Sequence, residues 1–461
     1  MKKFLITCST VFAMSASLPA LAEDPVGNWT GLVEGAIRLN IYLTKTQTGQ
    51  HEVTLISPDQ GNFTIKADKV EAGENFMRFS IAKLNCNYDA KWDEAQKTWV
   101  GTWTQGQVVK LNLTRLDEKA IAAQVKKRPQ EEAIAKNPRN YSSTEVSFQN
   151  TKANINLAGT ITLPQGKGPF PAVVLVHGSG PNDRDQTIIE HKVFLVLADH
   201  FTKQGIAVLR YDKRGVAASK GDYKTATSFD FADDAQAAVD YLRTRSDINH
   251  SKLGIVGHSE GGLIAPMVAA NDPKLGFIVL MAGPGVRSDA LLLEQSRLIG
   301  LANGESQAEV DKDQKVSRAA YAIINSGADD KTITERLTAH FDKAEKDGDL
   351  PKGAAAGQLS TLEKPWFRAF LKYDPAPTLS KVKQPTLVLN GELDLQVPSK
   401  MNLDAIRAHM KANKKVVIKE LPKLNHLFQV ATTGSPTEYG KIEETVSPIA
   451  LDAMSSWILQ Q

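Results

Sequence analysis

The chain has 461 residues, with 55 Lys and Arg against 52 Asp and Glu, 42% hydrophobic positions and 23% charged ones. This is ordinary globular composition: it excludes disorder, a collagen-like repeat and a membrane bundle, and a formal charge of +3 leaves no electrostatic footprint for nucleic acid or an anionic membrane surface. A length of 461 exceeds what one hydrophobic core serves, so roughly two to three structural units are expected.

Residues 1–22, MKKFLITCSTVFAMSASLPALA, set Lys2 and Lys3 before an apolar run and close on Ala20-Leu21-Ala22. That is the layout of a secretory signal peptide with cleavage before Glu23. The run is shorter than the ~20 residues a membrane span needs, so a cleaved signal rather than an anchor is expected, and no later segment is apolar enough to span. Its removal takes two lysines and no acid, leaving 53 basic against 52 acidic residues, or +1. Cys8 leaves with it and Cys86 remains alone, so no intramolecular disulfide is expected, although the compartment would permit one. The expected location is periplasmic or secreted.

From residue 23 to 116 short alternating segments are broken by polar turns. Leu39, Ile41 and Leu43, then Leu111 and Leu113, follow the period of two that predicts a small all-β domain, sandwich or barrel. Trp29, Trp92, Trp99 and Trp103 fall here, as a stacking platform for a ligand or, by the preferred reading, as core and edge packing. Residues 117–140 are charged, end near Pro138 and read as a linker with some helical character.

After Tyr141, VSFQN and INLAGTITLP predict an opening hairpin, followed by PAVVLVHGSG, GIAVLRYD, KLGIVGHS, GFIVLMAGPG, PTLVLNGELD and KVVIKELP. The last six are short apolar runs typical of strands buried on both faces of a parallel sheet, separated by helical stretches: a doubly wound α/β layout over 141–461. Between about 285 and 380 the alternation gives way to amphipathic runs, with Ile333, Leu337 and Phe341 at helical spacing. An all-helical insertion after a strand's carboxyl end lies over the ligand crevice of such a sheet, which predicts a lid.

The sharpest local signal is Gly257-His258-Ser259-Glu260-Gly261-Gly262, between an apolar run and a helix-like segment. A serine on a strained strand-to-helix turn, flanked by glycines, is the arrangement of a nucleophile elbow. A serine hydroxyl needs a base, and the base an orienting acid. Asp394 follows the strand Thr386 to Leu389, and His426 follows the run Val416 to Leu421; both sit at strand carboxyl ends. Glu392 is the alternative acid, disfavoured because it comes sooner after its strand. His258 adjoins the serine and is expected to point away from it. For the oxyanion, one backbone donor is expected from Glu260 and the other from Ser179 in His177-Gly178-Ser179-Gly180, with Gly180 as second choice. Arg184 could clamp a substrate carboxylate, but an internal salt-bridged turn is preferred; the charges of Tyr211-Asp212-Lys213-Arg214 are expected to brace loops.

HGSGPNDRD, YDKRGVAAS, GHSEGG, NGELDLQVP and NHLF, in that order, resemble the α/β-hydrolases of the bacterial esterase type, near the prolyl-oligopeptidase-like and serine aminopeptidase groups. Gln396 stands where related enzymes vary. The resemblance covers residues 141–461, while that to exported members with an amino-terminal β domain is vaguer. It implies a carboxylesterase acting on a small-molecule ester, with Ser259, Asp394 and His426 as triad and the Ser179 and Glu260 amides as oxyanion hole. A serine peptidase or amidase acting on small peptides uses the same chemistry, and an envelope-polymer binder with a degenerate hydrolase domain is the reading from another class. With no H-E-x-x-H, paired C-x-x-C, P-loop or dinucleotide fingerprint, no cofactor and no metal are expected.

Overall fold

The computed structural model describes residues 25–33, 37–58, 64–105, 107–117, 119, 127–136 and 140–461. The expected signal segment 1–22 therefore lies outside the described residues, as do 120–126 of the expected linker. The chain forms two compact units, Met1–Gln124 and Val125–Gln461.

In the first unit, Gly27–Val33, Ile37–Lys45, His51–Ile56 and Thr64–Lys66 form an antiparallel sheet that Thr114–Arg115 joins beside the first strand. Lys69–Gly73, Phe76–Ile81, Cys86–Asp93, Thr98–Gln105 and Gln107–Lys110 form a second antiparallel sheet. The period of two drives the pairing: Leu39, Ile41 and Leu43 turn inward to meet Met77, Phe79 and Ile81 in one shared core, which makes the unit a sandwich. Trp29 and Trp99 are fully buried and meet edge-on at 5.8 Å, with Trp92 5.2 Å from Trp99, so these tryptophans are spent on packing. Cys86 is a free thiol inside this core, where burial pushes its pKa up to about 11.

The second unit is built on an eight-stranded sheet whose strands we number β1 (Ser142–Asn150), β2 (Ile155–Leu163), β3 (Phe170–Val176), β4 (Ala207–Tyr211), β5 (Ile248–His258), β6 (Phe277–Met281), β7 (Thr386–Gly391) and β8 (Val416–Leu421). Their spatial order is β1-β2-β4-β3-β5-β6-β7-β8. β1 and β2 form the antiparallel hairpin and β2 runs antiparallel to β4, whereas β4 through β8 are mutually parallel. Alternation within β3 divides the core: Ala172, Val174 and Val176 face one helical layer, Val173 and Leu175 the other. The first layer holds Ser228–Arg243, Glu260–Asn271 and Ser399–His409, and the second holds Val193–Lys203 and Pro448–Leu459. β8 departs from the two-sided burial expected of it: Lys419 and Glu420 are exposed, because an edge strand has a neighbour on one side only.

Between β6 and β7 the chain is helical, with Ser288–Ala302, Gln307–Ile324, Asp330–Lys346, Ala355–Leu362 and Pro365–Lys372. Ile333, Leu337 and Phe341 are all buried in a separate small core with Val316 and Ile324, so the insertion is a packed body in its own right.

Part of the expected linker is not a free connection. Helix Pro129–Lys136 docks on the second unit, where the Gln130 side chain bonds the backbone of Thr445 and Val446 and Glu131 accepts from the Lys192 amide. The buried Arg128 guanidinium donates to the carbonyls of Ile189 (3.2 Å), Gly440 (3.4 Å) and Ile442 (3.2 Å), joining two loops that sequence alone leaves unrelated. Charged composition hid this, because the charges are consumed internally. Replacing Arg128 by Ala strands those carbonyls and should cost about 2–4 kcal/mol. Calorimetry should show a melting temperature several degrees lower and limited proteolysis new cleavage near residues 127–136; an unchanged melting temperature would contradict the docking role.

Candidate active site

Ser259 sits between β5 and helix Glu260–Asn271 with φ 55° and ψ −117°, a backbone conformation that a non-glycine residue holds only under constraint. Its N–H donates to the carbonyl of Met281 at the end of β6 (2.8 Å), and its own carbonyl accepts from Gly262 N–H (2.8 Å). The glycines of the motif are demanded by contact: a Cβ at Gly257 would collide with the Gly261 carbonyl, and one at Gly261 with that of Val176. The turn therefore presents Ser259 at the carboxyl edge of the sheet, in front of a helix amino terminus.

Asp394 and His426 arrive on the loops after β7 and β8. His426 Nδ1 meets Asp394 Oδ2 at 2.9 Å, while Asp394 Oδ1 accepts the amides of Gln396 (2.9 Å) and Val397 (2.8 Å), which aim the carboxylate. Both residues are buried. Glu392, the alternative acid, is exposed and accepts the Lys423 amide instead. Ser259 and His426 line the same cavity, but the hydrogen bond from Ser259 Oγ to His426 Nε2 that proton transfer requires is not made in this structure; such bonds commonly tighten only around substrate.

The loop after β3 lies against the serine: a Cβ at Gly178 would stand 3.1 Å from that of Ser259. Gly178 N–H is already given to Gln186 Oε1 (2.8 Å), whereas neither the Ser179 nor the Glu260 amide is given to a partner among the described residues, and both residues line the cavity. Gly180, the second choice, does not line it.

Two supporting residues escaped the sequence reading. His258 is fully buried; its Nε2–H donates to the carbonyl of His426 (2.9 Å) and its Nδ1 accepts from Gln186 Nε2 (2.8 Å), so a neutral imidazole ties the loop of His426 to the loop after β3. The Glu260 side chain is buried too, and takes hydrogen bonds from Lys213 Nζ (3.1 Å), Ser228 Oγ (2.6 Å) and, from the helical insertion, Trp366 Nε1 (2.6 Å). Nothing in local sequence marks such cross-loop bonds; the one signal is that charged residues stand at strand carboxyl ends.

The cavity encloses about 430 Å³. Leu291, Leu292, Trp366, Phe367 and Phe370 of the insertion make an apolar wall opposite Ser259, and Gln396 and Tyr439, joined by a 2.9 Å hydrogen bond, stand near the Asp394 side. Arg184 is no substrate clamp. Its guanidinium is held by both Asp212 oxygens (3.1 and 2.8 Å), Glu145 and Thr160. Lys213 and Arg214 likewise brace loops, Arg214 through Asp234 at 2.7 Å. Among the described residues no group of acidic, histidine or cysteine side chains could hold a metal ion.

Strand order and elbow define an α/β-hydrolase. Residues 153–421 match the family described as X-Pro dipeptidyl-peptidase (S15 family), and the chain belongs to that family. It is 30% identical over 317 residues, 68% of each chain, to esterase EstD of Thermotoga maritima. It is also 27% identical over 129 residues, 27% of this chain and 31% of the relative, to 2,6-dihydropseudooxynicotine hydrolase of Paenarthrobacter nicotinovorans. Among solved structures, a hypothetical protein of Pseudomonas aeruginosa aligns with TM-score 0.45 at 15% identity, over 70% of this chain and 94% of its own. The protein is an enzyme of the hydrolase class, esterase-like or peptidase-like.

Burial holds the pKa of His177 and His258 down to about 3 and that of His191 to about 4, against 6.5 for a free imidazole; the nearby charges of Lys213 and Arg128 add to the effect at His177 and His191. As pH falls below 6.5 the unfolded chain takes up these protons first, so the stability the neutral rings provide is complete above that value and is lost progressively down to about pH 4 for His191 and about pH 3 for His177 and His258. Each contributes about 1.4 kcal/mol per pH unit inside the window. Urea unfolding between about pH 7 and pH 5 should therefore show stability falling by more than one proton's worth per unit. A flat profile would mean that these imidazoles are not held neutral.

Proposed function

We propose that the protein is a carboxylesterase working through an acyl-serine at Ser259, with His426 as general base and Asp394 as its orienting acid. Ser259 Oγ attacks the ester carbonyl carbon while His426 Nε2 takes its proton, and the carbonyl oxygen becomes an oxyanion facing the Ser179 and Glu260 amides. The tetrahedral adduct collapses, the C–O bond to the alcohol breaks, and His426 returns the proton to the departing alkoxide. Water, deprotonated by His426, then attacks the acyl-serine and releases the acid and the free serine.

One observation carries the reading: a serine on a strained elbow and a His426–Asp394 pair open onto one apolar cavity of about 430 Å³. Esters come first because of charge. A peptidase that measures from a chain end needs a free ionic group for the terminal ammonium or carboxylate, and Glu260, the one carboxylate lining the cavity among the described residues, is already engaged by Lys213, Ser228 and Trp366. The relation to esterase EstD supports the same choice. A serine peptidase or amidase is the second reading, favoured by the family match over residues 153–421. We also read the enzyme as exported, periplasmic or secreted, on the layout of Lys2, Lys3, the apolar run and Ala22.

The test compares wild type and Ser259→Ala, with folding checked by circular dichroism, on p-nitrophenyl esters of rising acyl length and on aminoacyl p-nitroanilides. Ester turnover should fall by about 10⁴-fold or more in the variant, with anilides untouched by either protein. Dominant anilide cleavage that depends on Ser259 would promote the peptidase, and ester turnover surviving the substitution would remove Ser259 from the mechanism.

A further inference from the structure

Lys213 lies in the loop after β4, is fully buried and does not line the cavity, yet it stands directly behind it. Its Nζ donates to the carbonyl of Gly178 (2.8 Å) and to Glu260 Oε2 (3.1 Å), and its ammonium rests on the Phe231 ring at 4.1 Å from the centroid. These three directions use the ammonium completely, so it has no donor left for a substrate.

The carbonyl it holds belongs to the same peptide unit as the Ser179 amide. That peptide is trans, so its C=O and N–H point in opposite directions. A cation behind the carbonyl therefore turns Ser179 N–H to the other side, and Asn182 Nδ2, 2.9 Å from the same oxygen, fills its second acceptor position. The peptide cannot flip without breaking both of these hydrogen bonds, and the His177–Gly178 peptide before it is held in turn by Gln186, which accepts the Gly178 N–H. A positive charge on the carbonyl also polarises the amide and strengthens its N–H as a donor. On the other side Lys213 fixes the carboxylate of Glu260, whose own backbone N–H is the second donor.

We infer that Lys213 is the positioning residue of the oxyanion hole, holding the Gly178–Ser179 peptide by its carbonyl and the Glu260 residue by its carboxylate so that both amides are aimed before substrate arrives. This rests on the proposed acyl-serine chemistry. A buried Lys–Glu pair is costly to desolvate, and a brace for loops alone could be made more cheaply from apolar side chains. Its position, with one hydrogen bond to each half of the hole, gives the charge a reason to be there.

The experiment uses the whole enzyme and the charge-balanced variant Lys213→Met with Glu260→Gln, which leaves no unpaired buried charge and keeps an amide oxygen for Ser228 and Trp366. Wild type, this variant and Ser259→Ala are assayed on p-nitrophenyl butyrate. Their inhibition by a trifluoromethyl ketone, which forms a tetrahedral oxyanion adduct, is compared with inhibition by the matching methyl ketone. The expected result is a folded protein with kcat lower by about 100- to 1000-fold, KM within about threefold, and trifluoromethyl ketone affinity reduced while methyl ketone affinity is kept. A merely structural role would weaken both ketones alike. A folded variant with kcat within about threefold of wild type overturns the inference. If the double variant does not fold, Lys213→Gln, which keeps one donor toward Gly178, is read by the same ratio of ketone affinities, and an unchanged ratio overturns the inference. Ester turnover retained by Ser259→Ala would instead bring down the proposed function, so the two failures are separate.

Discussion

Ser259 is kept at a positive φ of 55°, in a conformation that costs an L residue about 1–3 kcal/mol, and the neighbouring sequence is shaped by the need to keep it there. Gly257 and Gly261 are glycines because backbone oxygens occupy the space a side chain would need. The Ser259 amide is anchored on Met281 at the end of β6, so the elbow is tied to the sheet on one side and to helix Glu260–Asn271 on the other. Release of the strain would withdraw the hydroxyl from the cavity and turn the Glu260 amide away from it. The sheet order, with β5 flanked by β3 and β6, gives the turn a rigid frame.

Around that turn the loops are registered by polar groups rather than by apolar contact. Gly178 N–H, the Gln186 side chain, the His258 imidazole and the carbonyl of His426 form a continuous chain of hydrogen bonds from the loop after β3 to the loop after β8. Because a carbonyl can only accept, His258 must donate from Nε2, and a neutral ring must then accept at Nδ1. His258, next to Ser259, thus has both ring nitrogens engaged, and it sets the height of the loop that carries His426. Trp366 extends the same logic to the helical insertion by donating to Glu260, which makes the insertion's inner wall part of the site rather than a cover laid over it.

Much of this was legible in the chain because the signals are local. The predicted hairpin and six apolar runs became the eight strands of one sheet, and the glycine-flanked serine became the elbow, because burial and backbone sterics act over a few residues. Asp394 and His426 could be placed at strand carboxyl ends by chain order, and the structure brings them to 2.9 Å. What was not legible is nonlocal. Residues 127–136 read as linker because Arg128, Gln130 and Glu131 are polar, but their partners lie at Ile189 and Lys192, 61 positions away, and on the Gly440 to Val446 loop, more than 300 positions away. The role of Lys213 was similarly hidden, since only the fold brings the loop after β4 behind the peptide of Gly178. β8 misled in the opposite sense: its apolar composition suggested two covered faces, and its place at the sheet edge gave it fewer neighbours.

The central claim is that Ser259 is the nucleophile. It is tested most directly by treating the intact enzyme with a fluorophosphonate, which phosphonylates an activated serine, and mapping the adduct by mass spectrometry while ester turnover is followed. The account predicts one adduct per chain, on the peptide holding Gly257 to Gly262, formed in step with the loss of turnover and absent from Ser259→Ala. Inactivation with the adduct on another residue, or labelling of Ser259 with turnover intact, would contradict it.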